Sequence, residues 1–312
     1  MNDTFGKIFK ISDSGDTHGE VLQGKIEGCP AGVVVDMELL ERDLRRRAPS
    51  AHRYSTQRRE TDRVHFLTGI SNGITTGEPI TYVIPNSDVQ PDEANRHVLK
   101  PSHASYTYKM KYGIADNEEC GRASARQTVC RVVAGVVAKC FLKQYGIEIE
   151  AIGTEPPEIP DGDTIGALVH CTIRNLPAGL GEPVYDKFCA RLAYAMLSIN
   201  CAKGFEIGKG FAVAQMLGSQ YNDRQRENFS FITNNDGGVQ AGITNGQELY
   251  FSVAFKPIPS LRRPQPTVTF AGLPAVYCAN DRNDCCVLPR VLPVVEAMTA
   301  VVTADFLVRN SF

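Results

Sequence analysis

Two histidines stand in stretches that make poor use of them as packing. His18 lies in Gly15-Asp16-Thr17-His18-Gly19-Glu20, between glycines and beside carboxylates. His103 lies in Lys100-Pro101-Ser102-His103-Ala104-Ser105-Tyr106-Thr107-Tyr108, a run dense in tyrosine and lysine, without apolar periodicity, that reads as a loop. Imidazole is the side chain that gives and takes a proton near neutrality, so both are candidates for acid–base work. His52, His65, His97 and His170 have no metal-ligand spacing, and no metal is expected.

Around the two histidines are groups suited to anions. Arg42, Arg45, Arg46, Arg47, Arg53, Arg58, Arg59 and Arg63 fall within 22 residues. The dipole of a helix C-terminus accounts for Arg45, Arg46 and Arg47. It does not account for Arg53, Arg58 and Arg59, which lie in polar, loop-like sequence; a pocket for a polyanion accounts for both sets. Gly121-Arg122-Ala123-Ser124-Ala125-Arg126-Gln127-Thr128 adds a helix N-terminus, whose free N–H groups and positive dipole end attract an anion. Arg122 and Arg126 can add charge-assisted, bidentate contacts there. Later, the glycines of Asn234-Asn235-Asp236-Gly237-Gly238 and the run Lys256-Pro257-Ile258-Pro259-Ser260 let backbone approach a ligand closely. Asp281-Arg282-Asn283-Asp284-Cys285-Cys286 then places Arg and Asp just before the last apolar run.

Composition narrows the class. The 312 residues carry a formal net charge of −2, so no bulk charge recruits nucleic acid or an anionic membrane. A nucleic-acid surface would also interleave aromatics with the arginines, and only Tyr54 does so. No uncharged apolar run approaches the length of a membrane span. Met1-Asn2-Asp3-Thr4 has neither a basic nor an apolar signal region, which points to a cytoplasmic protein. The 10 cysteines include no Cys-x-x-Cys pair and are expected as reduced, mostly core residues.

These groups need a scaffold. Asp36 can cap a helix through Arg47, with Leu39, Leu40 and Leu44 on one face. Ser124, with Gln127 in the capping-box position, starts a second helix to about 142 that is apolar almost all round. Others are predicted over 186–198 and 293–307. Strands are predicted over 63–67, 80–84, 147–152, 168–173, 211–216 and 249–255. Helices apolar on several sides need cover on several sides. The expected fold is therefore α+β: a β-α-β sandwich with a central helical layer between antiparallel sheets. It would form a single domain over 1–312, of two related halves joined near 153–163, where prolines and glycines forbid regular structure.

In this order the clusters resemble the chorismate synthase family. The matching stretches include Gly15-Asp16-Thr17-His18-Gly19, 45–49, Thr75-Thr76-Gly77, His103 with Tyr106-Thr107-Tyr108, Lys111-Tyr112-Gly113 and 121–126. Farther on come 132–135, 179–183, Lys203-Gly204-Phe205-Glu206-Ile207-Gly208, Gly237-Gly238, Ala254-Phe255-Lys256-Pro257 and 289–297. The resemblance runs collinearly along nearly the whole chain. Departures are Asp16-Thr17 for the usual Glu-Ser, Ser105 for Asp, Gln127 for Glu, Ala241 for Gly, Asn283 and Cys285 for His and Pro, and a shorter linker after Ile152.

The resemblance implies a 1,4-anti elimination of phosphate from 5-enolpyruvylshikimate 3-phosphate to give chorismate. It implies reduced FMN as cofactor without net redox, and NADPH only indirectly, for flavin reduction. It also implies a homotetramer. Carried over by position, His18 resembles the histidine that protonates the leaving phosphate and His103 the one that protonates the reduced flavin near N1. Asp284 resembles the acid that assists proton removal at flavin N5. Arg46 and Arg53 match substrate-side or nicotinamide-site arginines, and Arg126 a substrate-side one. Arg122, Ala123, Ser124, Asn200, Cys201, Ala241, Lys256, Pro257, Ile258, Pro259, Ser260 and Arg282 match flavin-binding positions. The alternative is a non-catalytic relative that binds FMN or another anion.

Overall fold

The computed structural model describes residues 3–49, 54–56, 61–89, 92–280 and 283–310. Arg53 and Arg282, and with them Arg58 and Arg59, lie outside the described residues.

Period-two burial defines two sheets. β1 (Thr4–Phe5), β2 (Lys10–Ser14), β3 (Val21–Glu27), β4 (His65–Thr68) and β5 (Ile80–Pro85) form the first, in the order β1-β2-β3-β5-β4 with every neighbour antiparallel. Leu22 and Ile26 of β3 and Ile80, Tyr82 and Ile84 of β5 point inward, and Leu22 pairs with Ile84 across the ladder. β6 (Glu148–Gly153), β7 (Ala167–Arg174), β8 (Ala202–Ile207) and β9 (Leu249–Phe255) form the second, ordered β8-β9-β7-β6 and again antiparallel. Its inner face carries Val169, Cys171, Ile173, Leu249, Phe251 and Val253, all almost fully buried.

The helices fill the space between. α1 (Met37–Arg47), α2 (Ser105–Tyr112), α3 (Thr128–Lys143), α4 (Phe188–Leu197) and α5 (Leu292–Asn310) follow in chain order. α3 touches β2 and β3 on one side and β6 on the other; α5 reaches β2, β6 and β7. This two-sided cover is what their all-round apolar sequence requires. The α3–α5 crossing is close because residue 135 is glycine: a Cβ there would lie 2.2 Å from the Cβ of Ala297. The expected sandwich is thus the observed one.

One charged cluster is buried in this layer. Arg46 donates to Glu296 at 2.8 and 2.9 Å and to Asp43 at 3.1 Å, and Lys139 bridges the same two carboxylates at 2.7 Å each. Burial alone would raise both carboxyl groups; the two cations more than offset it and hold them below their ordinary range.

Several boundaries differ from expectation for identifiable reasons. Asp36 caps α1 as predicted, accepting from the Leu39 N–H. Ser124 instead caps a short 3-10 turn (Ala125–Gln127), and α3 begins only at Thr128. The capping box is absent because Gln127 turns away and donates to the Gly15 carbonyl. α4 starts at Phe188, since Asp186 is engaged by Lys7, Arg191 and Arg309. The stretch expected as a strand over 211–216 is an exposed 3-10 turn (Gly210–Gln215) that pairs with no strand among the described residues. The run after His103, expected as a loop, is α2; Tyr106, Met110 and Tyr112 are exposed, and of its tyrosines only Tyr108 packs inward, against the small cluster of Ile114, Cys120 and Phe270. Of the ten cysteines, all unpaired, six are buried. Among the described residues no helix is long and apolar enough to cross a membrane.

Candidate functional site

Element ends and loops converge on one cavity of about 480 Å³. The turn after β2 supplies Thr17 and His18, and the end of α1 supplies Arg47. Arg96, Lys100, Ser102 and His103 come from the segment before α2, and Ala123, Ser124 and Arg126 from the turn before α3. Asn200 and Cys201 lie between α4 and β8, Lys256, Ile258, Pro259 and Ser260 follow β9, and Asn283, Asp284 and Arg290 precede α5. Four arginines and two lysines therefore share the wall with two histidines, an arrangement suited to a ligand with several negative charges.

Three local networks hold these groups. Asp62 sits between two cavity arginines: Arg47 donates to it at 2.6 Å and Arg126 makes a shorter contact. All three side chains are at most 3% exposed. Burial would raise the Asp62 carboxyl, but the two guanidinium groups hold it below the carboxylate range. Beside it, where Arg290 donates to the Arg47 carbonyl at 2.8 Å, Asp284 accepts from Arg290 and, at 2.7 Å, from the Thr56 N–H. The third network joins Lys256 to the Ser102 carbonyl at 2.6 Å, and Asn200 to the Ala123 carbonyl at 2.8 Å.

Two residues of the cavity wall each carry a buried polar atom with no partner among the described residues, Nε of Arg47 and Nδ1 of His103. Orphaned buried groups are uncommon in a finished fold and mark a place where a ligand completes the bonding. Burial first, then Lys100 and Lys256, lower the His103 pKa from the ordinary 6.5 to about 4, so the imidazole is neutral at pH 7. Cys201, whose thiol is pushed up mainly by burial, is a neutral wall residue.

The structure thus brings His18, His103, Asp284, Arg126, Ala123, Ser124, Asn200, Cys201, Lys256, Ile258, Pro259 and Ser260 to one cavity. Arg46 is not among its lining residues. Successive helical residues are rotated by about 100°, which sends Arg46 toward Glu296 and leaves Arg47 to face the cavity. Arg122 points the other way, into a second, smaller pocket of about 230 Å³. There it binds Asp3 and Asp13 at 2.8 Å and the Gly15 carbonyl at 2.9 Å. Ala241 sits in a tight hairpin turn with φ +52° and does not line the cavity; nor does Pro257, although its neighbours do. Sequence reasoning missed Arg96, Lys100 and Thr56 as wall residues. Lys100 could have been found from its place beside His103, whereas Arg96 and Thr56 carry no local signal.

Fold and site define an enzyme cavity for a small polyanion, carried on loops at one end of a β-α-β sandwich. The chain belongs to the chorismate synthase family, whose sequence model matches residues 9–155 and 158–308. It is similar to the chorismate synthase of Christiangramia forsetii, 42% identical over 345 aligned positions that cover 98% of each chain. The chorismate synthases of Parabacteroides distasonis and Porphyromonas gingivalis are each 42% identical over 97% of this chain and cover 97% and 94% of their own. A crystal structure of a chorismate synthase superposes with a TM-score of 0.77 at 27% identity, covering 98% of this chain and 93% of the other. The alignment to the first relative spans more positions than the 312 residues here, so that relative carries residues this chain lacks. The family match itself breaks at 156–157, inside the irregular linker.

Proposed function

We propose that this chain eliminates phosphate from 5-enolpyruvylshikimate 3-phosphate to give chorismate, the last step of the shikimate pathway, as a carbon–oxygen lyase that requires reduced FMN without net redox. The observation that carries the reading is the meeting of His18, His103 and Asp284, widely separated in sequence, at one arginine-lined cavity. In the reaction the C3–O bond breaks with its electron pair, a hydrogen leaves C6, and the ring gains a double bond.

The cavity fits the flavin. Its volume lies in the range of cofactor and small-ligand sites. The helix-capping Ser124, Lys256 and Asn200 offer donors, and the orphaned atoms of Arg47 and His103 await a partner. When bound, reduced FMN supplies an electron-rich ring that assists cleavage of the allylic C–O bond. Arg47 and Arg126 hold substrate anions. His18, exposed at the cavity edge, gives its proton to a departing phosphate oxygen. Asp284, held by Arg290 and the Thr56 N–H, would assist proton removal on the flavin side of the cavity. His103 holds a proton near flavin N1. The reduced flavin comes from outside, with NADPH serving only that earlier reduction, and the protein works in the cytoplasm. The homotetramer of the reading is supported by the arm around Gly210–Gln215, which carries Phe211 and Phe229 four-fifths exposed.

The direct test is turnover. Purified protein with photoreduced FMN under anaerobic conditions should convert the phosphorylated enol ether to chorismate; FMN binding without product would overturn the reading in favour of a non-catalytic relative. A second expectation concerns protons. With its pKa lowered to about 4, His103 is neutral in the free protein, and the fold loses stability as pH falls from about 6.5 toward 4 because the unfolded chain binds the extra proton. An anion that neutralises Lys100 and Lys256 raises that pKa, so binding at pH 6 should take up protons. Calorimetry in buffers of different ionisation enthalpy measures the uptake, and His103→Asn should remove it.

A further inference from the structure

His18 is exposed, and no described residue bonds its ring, so its placement is set by its backbone. Within the turn, Asp16 Oδ1 accepts from the N–H groups of His18 at 2.8 Å and Gly19 at 2.9 Å. Arg122 and Gln127 hold the carbonyl of Gly15 at the entry to the turn. The tie to the rest of the site is Asn86, which follows β5 and is 8% exposed. Its Nδ2 donates to the carbonyl of Thr17 at 2.9 Å and to that of Gly19 at 2.8 Å, the residues on either side of His18. Its backbone N–H donates to the Glu20 carbonyl at 2.8 Å. Its Oδ1 accepts from Arg126 Nε at 3.1 Å, and Arg126 is the cavity arginine paired with Asp62.

The amide is specified by its partners. Guanidinium nitrogen can only donate, so the oxygen of Asn86 must face Arg126 and its NH2 must face the two carbonyls. Aspartate could accept from Arg126 but would set a carboxylate against both carbonyls. Serine has one donor for two acceptors. Two bonds from one rigid planar group fix both the position and the tilt of the peptide pair that carries His18.

We propose that Asn86 is a positioning residue that sets His18 against the anion held at Arg126. The proposal rests on the functional reading above, since it supposes that His18 acts on that anion. Placement matters at this scale: a misplacement of about 1 Å can lower turnover by about 100-fold.

The test uses the full chain with photoreduced FMN and the phosphorylated enol ether, comparing Asn86→Asp and Asn86→Ser with wild type in both the parent and the His18→Ala background. In the parent, kcat should fall by roughly 10- to 100-fold with FMN affinity unchanged, and KM should rise by less because Arg126 loses or changes its partner at Asn86. In the His18→Ala background the same substitutions should lower turnover no further, because a residue acting through His18 has nothing left to position. Full activity of both variants, or an equal loss in both backgrounds, would overturn the proposal. Hydrogen exchange gives a readout apart from activity: the amides of His18 and Gly19 should be protected in wild type and exchange faster in Asn86→Asp. If neither variant folds, Asn86→Ala, which removes both donors without adding a charge, takes their place, and wild-type kcat in that variant would overturn the proposal. Absence of turnover by the wild type would sink the functional reading instead, leaving the exchange measurement to decide the clamp.

Discussion

Replacing His18 with alanine should lower turnover by about 10²- to 10⁴-fold, the usual contribution of a positioned general acid, while FMN affinity stays near that of the wild type. Separation of the two effects follows from the geometry. His18 lines the cavity from an exposed turn held by backbone bonds and by the side chains of Asp16, Asn86, Arg122 and Gln127, so losing the ring leaves the turn intact. The half-buried groups suited to the flavin, His103, Asn200 and Lys256, lie on other segments. Stopped-flow turnover under anaerobic conditions and flavin fluorescence titration measure the two quantities. Turnover at the wild-type rate in His18→Ala would show that another group, or water, protonates the leaving phosphate. A matching loss of FMN affinity would make His18 a binding residue.

How far the site could be read beforehand depended on whether a residue's role was written in its neighbours. His18 and His103 were legible because glycines, or a dense run of tyrosine and lysine, surround them in place of an apolar pattern. α3 and α5 were legible because helices buried on all sides leave an apolar run interrupted only by isolated charges such as Arg131 and Glu296. The stretch 211–216 alternates apolar and small residues as a strand does, yet it has no neighbour to pair with, and pairing is a tertiary fact. α2 escaped notice for the converse reason: it sets only Tyr108 against a small apolar cluster, which leaves no periodicity to detect. The choice between Arg46 and Arg47 turned on one residue of helix phase, which an unbroken run of arginines conceals. Asn86 carried no local sign, because its side-chain partners stand 40 to 69 residues away, and Asp62 lies near Arg47 in the chain but joins Arg126 across 64 residues.

Asp62 should therefore matter more than any reading of its surroundings suggests. Asp62→Asn keeps the shape and removes the charge, leaving Arg47 and Arg126 buried and facing each other. Breaking a buried ion pair by taking away one partner typically costs about 3–5 kcal/mol. The pH dependence distinguishes this from general damage. The Asp62 carboxyl is held below its ordinary 3.8, so its contribution is present above that value and is lost as pH falls through the lower, folded one. Wild type and variant should therefore differ most near neutrality and converge in strong acid. A second signature comes from linkage, since a ligand that binds the native state stabilises it in proportion to its affinity there. With Asp62 neutralised, inorganic phosphate becomes the available counterion for the two guanidinium groups. The melting temperature of Asp62→Asn should then climb more steeply with phosphate than that of the wild type. Chloride at equal ionic strength should not reproduce the climb, because it lacks the oxygens that a guanidinium fork grips in pairs. A variant that melts with the wild type at pH 7 and ignores phosphate would show that the arginines are not held in place by Asp62.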